Sequence, residues 1–213
     1  MKLIAKLLQT MVVGLLLTAP QALASEKPAD NASAKQVIEK FNTTLLHVMK
    51  RAKVLGYHGR YASLDPVLSK TFDFPFMIQY AVGQTWKSLS DDQKHDLTKA
   101  FARFTIATYA DRFNGYSGEQ IKIVKAQAAP RDTRLIKTEL IKKNGKAIKL
   151  NYLMRNNGHG WQIIDIFLKG SISELATKRS EYNATAKNEG FHGLISRINE
   201  KTAIIQAQRS SSK

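Results

Sequence analysis

The chain has 213 residues, a formal net charge of +16, 43% hydrophobic and 23% charged residues, and no cysteine. That balance is globular, the length predicts one domain with at most a short extension, and the apolar content excludes disordered and collagen-like classes. The lack of cysteine excludes disulfides, Cys-ligated zinc, iron–sulfur clusters, a thiol nucleophile and a lipid-modified N-terminal Cys.

Lys2 and Lys6 precede the apolar run Leu7–Thr18, followed by Pro20 and Ala22-Leu23-Ala24. A charged start, an apolar stretch and an A-x-A site read as a signal peptide over 1–24, cleaved after Ala24. The run is about a dozen residues, short of the roughly 20 that span a bilayer. The mature chain is expected to be exported and soluble from about Ser25. Export redirects the meaning of the sequence pI of about 10.0. Nucleic acid is not an expected partner; an anionic membrane surface or an anionic ligand is.

After the polar lead Glu26–Asn31, a helix is predicted from Ser33. Val37, Ile38, Phe41, Leu45, Val48, Met49 and Ala52 fall on one face, and Gly56 closes it. Residues 57–63 read as a mobile loop, and Asp65-Pro66 as an N-cap with Pro at the first helical position. Asp73 with Pro75 repeats the device and opens a helix ending near Gly83. Ser90 with Gln93 fits a capping box, with Asp91 and Asp92 at the positive helix end. That helix runs to about Phe113, with Leu97, Phe101, Phe104, Thr108 and Tyr109 as its buried stripe.

The period then switches to two. Glu119–Gln127, Thr133–Lys143, Lys146–Asn156 and Trp161–Lys169 read as sequential antiparallel strands, with Asn144-Gly145 as a hairpin turn. On the third strand Ile148, Leu150, Tyr152 and Met154 share the buried face. Lys149, Asn151 and Arg155 share the wet one, with Leu153 as an exception. Ser173 can cap a helix from Glu174, and a second amphipathic segment follows Gly190 with Phe191, Leu194, Ile195, Ile198 and Ile205 on one side. The expected fold is α+β: helices packed on one face of a curved antiparallel meander of four strands or slightly more, enclosing an apolar pocket. It forms one domain over 25–208, with a helical extension from about 174 and a polar tail over 209–213.

Little catalytic chemistry is legible. His47, His58, His95, His159 and His192 stand apart from one another and from acids at ligand spacing, so no metal or other cofactor is expected. Nucleophile elbows and phosphate loops are absent. Asp165 is the one charge in the apolar run Ile163–Leu168. It is either a strand residue with a local partner or, in an enzyme of the cone-shaped helix-and-sheet type, a buried general base. Phe72, Phe74, Phe76, Met77, Tyr80 and Trp86 are dense enough for a core or a ligand wall, which use the same residue types. Between Gln120 and Arg155, ten Lys or Arg stand against Asp132 and Glu139, a charge of +8 on the meander. That is either a solvated sheet face or a surface for acidic lipid headgroups or an acidic partner.

Phe72-Asp73-Phe74, Met77, Ala81, Gly83 and Trp86 resemble the F-D-F…M…A-x-G-x-x-W signature of the MlaC, or toluene-tolerance, family. Gln93, Phe101, Tyr109, Tyr116-Ser117-Gly118-Glu119, Tyr152, Trp161, Ile164-Asp165 and Gly170-Ser171-Ile172-Ser173 continue the series in order. The resemblance covers Ser33 to Ser173. It implies a periplasmic lipid carrier shaped as a half-open clam, with no enzymatic step. By resemblance the partners are an inner-membrane ABC transporter with MCE-domain subunits and an outer-membrane lipoprotein. The helical tail Glu174–Gln208 departs from the common pattern and is similar to a hopanoid-biosynthesis-associated branch, so the ligand is a phospholipid or a hopanoid.

On this reading the lipid-binding wall is Met77, Tyr80, Val82, Phe104, Tyr109, Leu150, Tyr152, Met154, Ile164 and Ile166, with the headgroup held near solvent by Lys or Arg of the meander. The rivals are an accessory protein that carries no lipid, and an enzyme using Asp165.

Overall fold

A computed structural model describes residues 28–210. The leader expected over 1–24 and the last residues of the tail lie outside the described residues. Helices α1 (Pro28–Lys50), α2 (Ala52–Thr71), α3 (Phe74–Val82) and α4 (Asp91–Arg112) precede an antiparallel meander, and α5 (Glu174–Ser210) follows it. The strands are β1 (Gln120–Ala129), β2 (Thr133–Ile141), β3 (Ala147–Asn156), β4 (Trp161–Leu168) and β5 (Ile172–Ser173), in the spatial order β1-β2-β3-β4-β5. The sheet is open, so the expected meander is present with one short strand added.

Local chemistry explains most boundaries. Asp73 caps α3 by accepting from the Phe76 amide at 3.1 Å. At α4, Ser90 and Gln93 exchange both capping-box bonds. Gly145, at φ 80°, completes the hairpin between β2 and β3, where Lys142 N–H donates to Lys146 O at 2.9 Å. Ser173 Oγ accepts from the Ala176 amide at 2.8 Å and starts α5.

The region after Gly56 corrects the sequence reading. Residues 57–63 are helical, and Pro66 lies inside α2 rather than at a helix start. Gly56 takes φ 58° and ψ −172°, which breaks one helix and starts the next without an intervening loop. Tyr57, Arg60, Leu64 and Leu68 then form a buried stripe at helical spacing. Pro66 and Ala62 are exposed, so the Ala62 carbonyl that loses its partner can be hydrated.

The inner face of the sheet packs on the helices. Ile136, Tyr152 and Ile166 stand side by side in register, and Phe41 of α1 meets the Tyr152 ring edge-on at 5.9 Å. Burying a side chain such as Phe41 is worth about 1.5–3 kcal/mol. Asn151, expected on the wet face, is buried instead. Its amide nitrogen donates to Gly170 O at 3.1 Å, and its oxygen accepts from Thr138 N, replacing a ladder bond between β2 and β3. Ile164 is an extra residue in β4: the register passes from Met154↔Ile163 to Leu153↔Asp165. This bulge lets four consecutive residues, Ile163 to Ile166, all be buried.

Candidate functional site

The helix-side cavity lies between α4, the inner face of β3 and β4, and the start of α5, and has a volume of about 160 Å³. Its α4 bank carries Phe101, Phe104, Thr105, Thr108 and Tyr109, positions that recur with the helical period. Thr105 and Thr108 donate their hydroxyls back to the Phe101 and Phe104 carbonyls, so the groups they turn to the cavity are mainly methyl. Leu150, Ile166 and Leu168 supply the sheet bank, and Leu175 closes the α5 side. Tyr109 stacks on Phe113 at 5.3 Å and meets Phe72 edge-on at 5.8 Å. Burial pushes the Tyr109 phenol well above its ordinary value of 10.0. It is a neutral hydroxyl in an apolar wall.

Three charged side chains line the same cavity: Arg112 at the end of α4, and Glu174 and Lys178 in the first turns of α5. The Lys178 ammonium lies 4.8 Å from the Phe104 ring centroid, so an apolar ring and a cation meet at one edge of the site. An apolar interior whose charged lining is two cations, Arg112 and Lys178, and one carboxylate, Glu174, suits a molecule with a hydrocarbon part and a charged head.

The residues assigned to a wall from the sequence fall in three places. Met77, Phe104, Tyr109, Leu150 and Ile166 come together at this cavity. Tyr80 and Ile164 line a different groove, on the outer face of the sheet. Val82, Tyr152 and Met154 are buried in the core. The cations at the cavity come from helices, not from the meander. Lys122, Glu139 and Lys149 are cross-strand neighbours on the outer face, as are Lys125 and Lys137. The sequence reading did not single out Thr105, Arg112, Leu168, Leu175 and Lys178. For the α4 residues a signal existed, since the stripe through Phe101, Phe104 and Thr108 continues at the same spacing to Arg112.

Asp165 has a defined structural job. Its carboxylate accepts from the Ile166 amide at 2.7 Å, the Leu175 amide at 3.0 Å and the Ser173 hydroxyl at 2.6 Å, tying β4 to β5 and to the first turn of α5. Burial raises its pKa above the ordinary 3.8, and these three donors pull the other way. Because the folded value is raised, the contribution of this group to stability is greatest below pH about 4 and is lost as pH rises through the folded value. Asp165→Asn is therefore expected to flatten that part of the acid-side stability profile. Asp165→Ala is expected to lower stability by about 1–3 kcal/mol by stranding the Leu175 and Ile166 donors. Thermal melts of the three proteins between pH 3 and 7 check both; identical profiles for wild type and Asp165→Asn would remove the titration argument.

Among the described residues, no group of three or more His, Asp or Glu is placed to hold a metal ion, and no helix is long and apolar enough to cross a membrane.

An open antiparallel sheet with helices over one face is an α+β architecture, and here it leaves an apolar void between its layers. The family model described as MlaC protein matches residues 39–200, and the chain belongs to the MlaC family. A solved structure of a phospholipid-binding protein from Ralstonia solanacearum, in complex with a phospholipid, has the same fold. It aligns with a TM-score of 0.70 and 20% identity, covering 83% of this chain and 98% of that one. Comparison with the curated proteins returns no significant match.

Proposed function

We propose that the mature protein is an exported, periplasmic carrier of a membrane phospholipid, holding the acyl chains between α4, α5 and the inner face of the sheet. The observation that carries this is the pairing of an apolar helix-side cavity with Arg112 and Lys178 at the same site. Hydrocarbon leaves a bilayer slowly because each exposed CH₂ costs about 0.8 kcal/mol, so a carrier must offer an apolar replacement. Arg112, and Lys178 where it turns from its 3.5 Å pairing with Glu181, are then the groups available to the headgroup phosphate. The family membership and the phospholipid-bound structural neighbour support a binding protein rather than an enzyme. So does the way Asp165 is held by its three donors.

The cavity as described, about 160 Å³, matches in size a site that admits a benzene-sized molecule. Loading two acyl chains therefore requires the α4 and α5 bank to part from β3 and β4. The tail expected to mark a hopanoid branch has a more general use here, because α5 brings Leu175 and Lys178 to the cavity. In this reading the transporter and the outer-membrane lipoprotein exchange lipid with the carrier, and the chain itself needs no cofactor.

Native mass spectrometry of mature protein purified without detergent, with lipid analysis of its organic extract, tests this. A discrete adduct that extracts as phospholipid is expected. A hopanoid extract would replace the ligand class. A protein that stays empty after incubation with liposomes containing both lipids would overturn the carrier reading in favour of an accessory role.

A further inference from the structure

The outer face of the sheet carries a second, larger recess that the carrier reading does not use. It has a volume of about 780 Å³, within the range of small-molecule sites. Leu135 and Leu153 are cross-strand neighbours on its floor, joined by Phe167 and by Ile164 at the bulge. Phe76 and Tyr80 of α3 form one bank, and the turn between β1 and β2, with Pro130 and Arg131, forms the other. β4 divides this groove from the helix-side cavity, with Phe167 facing one and Ile166 and Leu168 the other, and the two come closest at Leu175, which lines both.

The polar groups around the groove are unevenly signed. Arg155 and Arg131 are at its rim. Arg155 lies 4.1 Å over the Phe76 ring and is paired with Asp73. Asp165 is the acid that lines the groove, and its oxygens are directed to Ser173, Leu175 and Ile166. The turn that carries Arg131 has an uncommon backbone: Arg131 and Asp132 take φ of 59° and 54°, a conformation that costs a non-glycine residue roughly 1–2 kcal/mol. The Thr133 hydroxyl bonds Pro130 O at 2.7 Å and fixes the turn. Strain held at an exposed turn beside a cleft is a feature of ligand clamps. A flat bilayer cannot enter a banked groove, whereas a single hydrocarbon chain can.

We propose that this groove is a second binding site, for one single-chain anionic amphiphile: the acyl chain lies over Leu135, Leu153 and Phe167, and the carboxylate or phosphate meets Arg131 and Arg155. The site lies across β4 from the helix-side cavity and shares Leu175 alone of its lining with it.

The test titrates palmitoyl lysophosphatidylglycerol, palmitate and uncharged monopalmitin into the full mature protein, read by native mass spectrometry and isothermal calorimetry. The Thr108→Trp background, which fills the helix-side cavity, keeps the two sites apart. One anionic amphiphile per chain is expected still to bind there, and to be lost on adding Leu153→Glu. Arg131→Glu, at an exposed turn that leaves the core untouched, is expected to weaken binding at least about tenfold. The arm that binds more tightly, phosphate or carboxylate, identifies the headgroup source. No binding in the Thr108→Trp background would overturn the second site, as would binding that ignores both Leu153→Glu and Arg131→Glu. Equal affinity for monopalmitin would overturn the anionic requirement. Failure of the carrier reading is separable, because that is read from two-chain phospholipid that copurifies with wild type and is lost in Thr108→Trp.

Discussion

Thr108→Trp is expected to yield folded protein that copurifies with less than about a tenth of the wild-type lipid. Thr108 is half-buried on the α4 bank, and its methyl faces a void of about 160 Å³. An indole at this position occupies the space that an acyl chain must enter, between Phe104, Tyr109 and the sheet. The structural cost is the bond to the Phe104 carbonyl and some overpacking, about 1–3 kcal/mol in all. For a chain of this size, 1 kcal/mol is worth roughly 2–4 °C in Tm, so the melt should stay cooperative. Val82 shows the contrast. It has no exposed surface and does not line the cavity, so Val82→Trp would overpack the core and report on folding instead of loading. Quantified lipid extracts from wild type and Thr108→Trp, each normalised to protein, decide the matter. Equal lipid in the two would mean that the chains lie elsewhere.

The largest stability loss is expected at Asp73. One carboxylate caps α3 through the Phe76 amide and receives Arg155 from β3, whose Nε and guanidinium NH2 both lie 2.9 Å from Oδ2. The Asp73 backbone amide also donates to Ile163 O at 2.9 Å, beside the bridge between Phe72 and Ile163. This side chain therefore fixes the junction between α2 and α3 against the edge of the sheet. Asp73→Ala removes the cap, worth about 1 kcal/mol, and a charge-assisted bond worth about 1.5–3 kcal/mol. A drop of about 5–15 °C in Tm is expected, with a smaller one for Asp73→Asn, which keeps the cap oxygen. Urea titration of the same set gives the free energies directly. An Asp73→Ala protein as stable as wild type would show that the Phe72–Phe74 packing alone holds the junction.

Much of this architecture could be read before any coordinates. The caps at Asp73, Ser90 and Ser173, the Asn144-Gly145 turn and the alternation on β3 are local signals, set by backbone chemistry within a few residues. Pro66 misled because a proline marks a helix start only if nothing upstream has already started one, and Gly56 had. The wall was legible as a residue class rather than as a set of positions. Val82 and Tyr152 are apolar and lie in the core, while Thr108 is polar by type but lines the cavity, because filler and lining are distinguished only by where the void falls. Arg112 and Lys178 share a cavity only after α4 and α5 pack together, and no spacing along the chain encodes that. Leu153 carried a hint. An apolar residue on a face expected to be wet was the trace of the outer groove.

The extra residue at Ile164 also sets a rule for change in this segment. β4 has one side-chain phase before the bulge, where Trp161 and Ile163 face the helices, and the opposite phase after it, where Ile166 and Leu168 do. A strand behaves here like a reading frame. Deleting Ile164 would not shorten a loop; it would force one half of the strand to slip, turning either Trp161 and Ile163 or Ile166 and Leu168 outward. Substitutions along β4 therefore act position by position, each judged by the side its residue faces. A one-residue insertion or deletion would exchange what the two compartments see, so length in this stretch is under tighter physical constraint than composition.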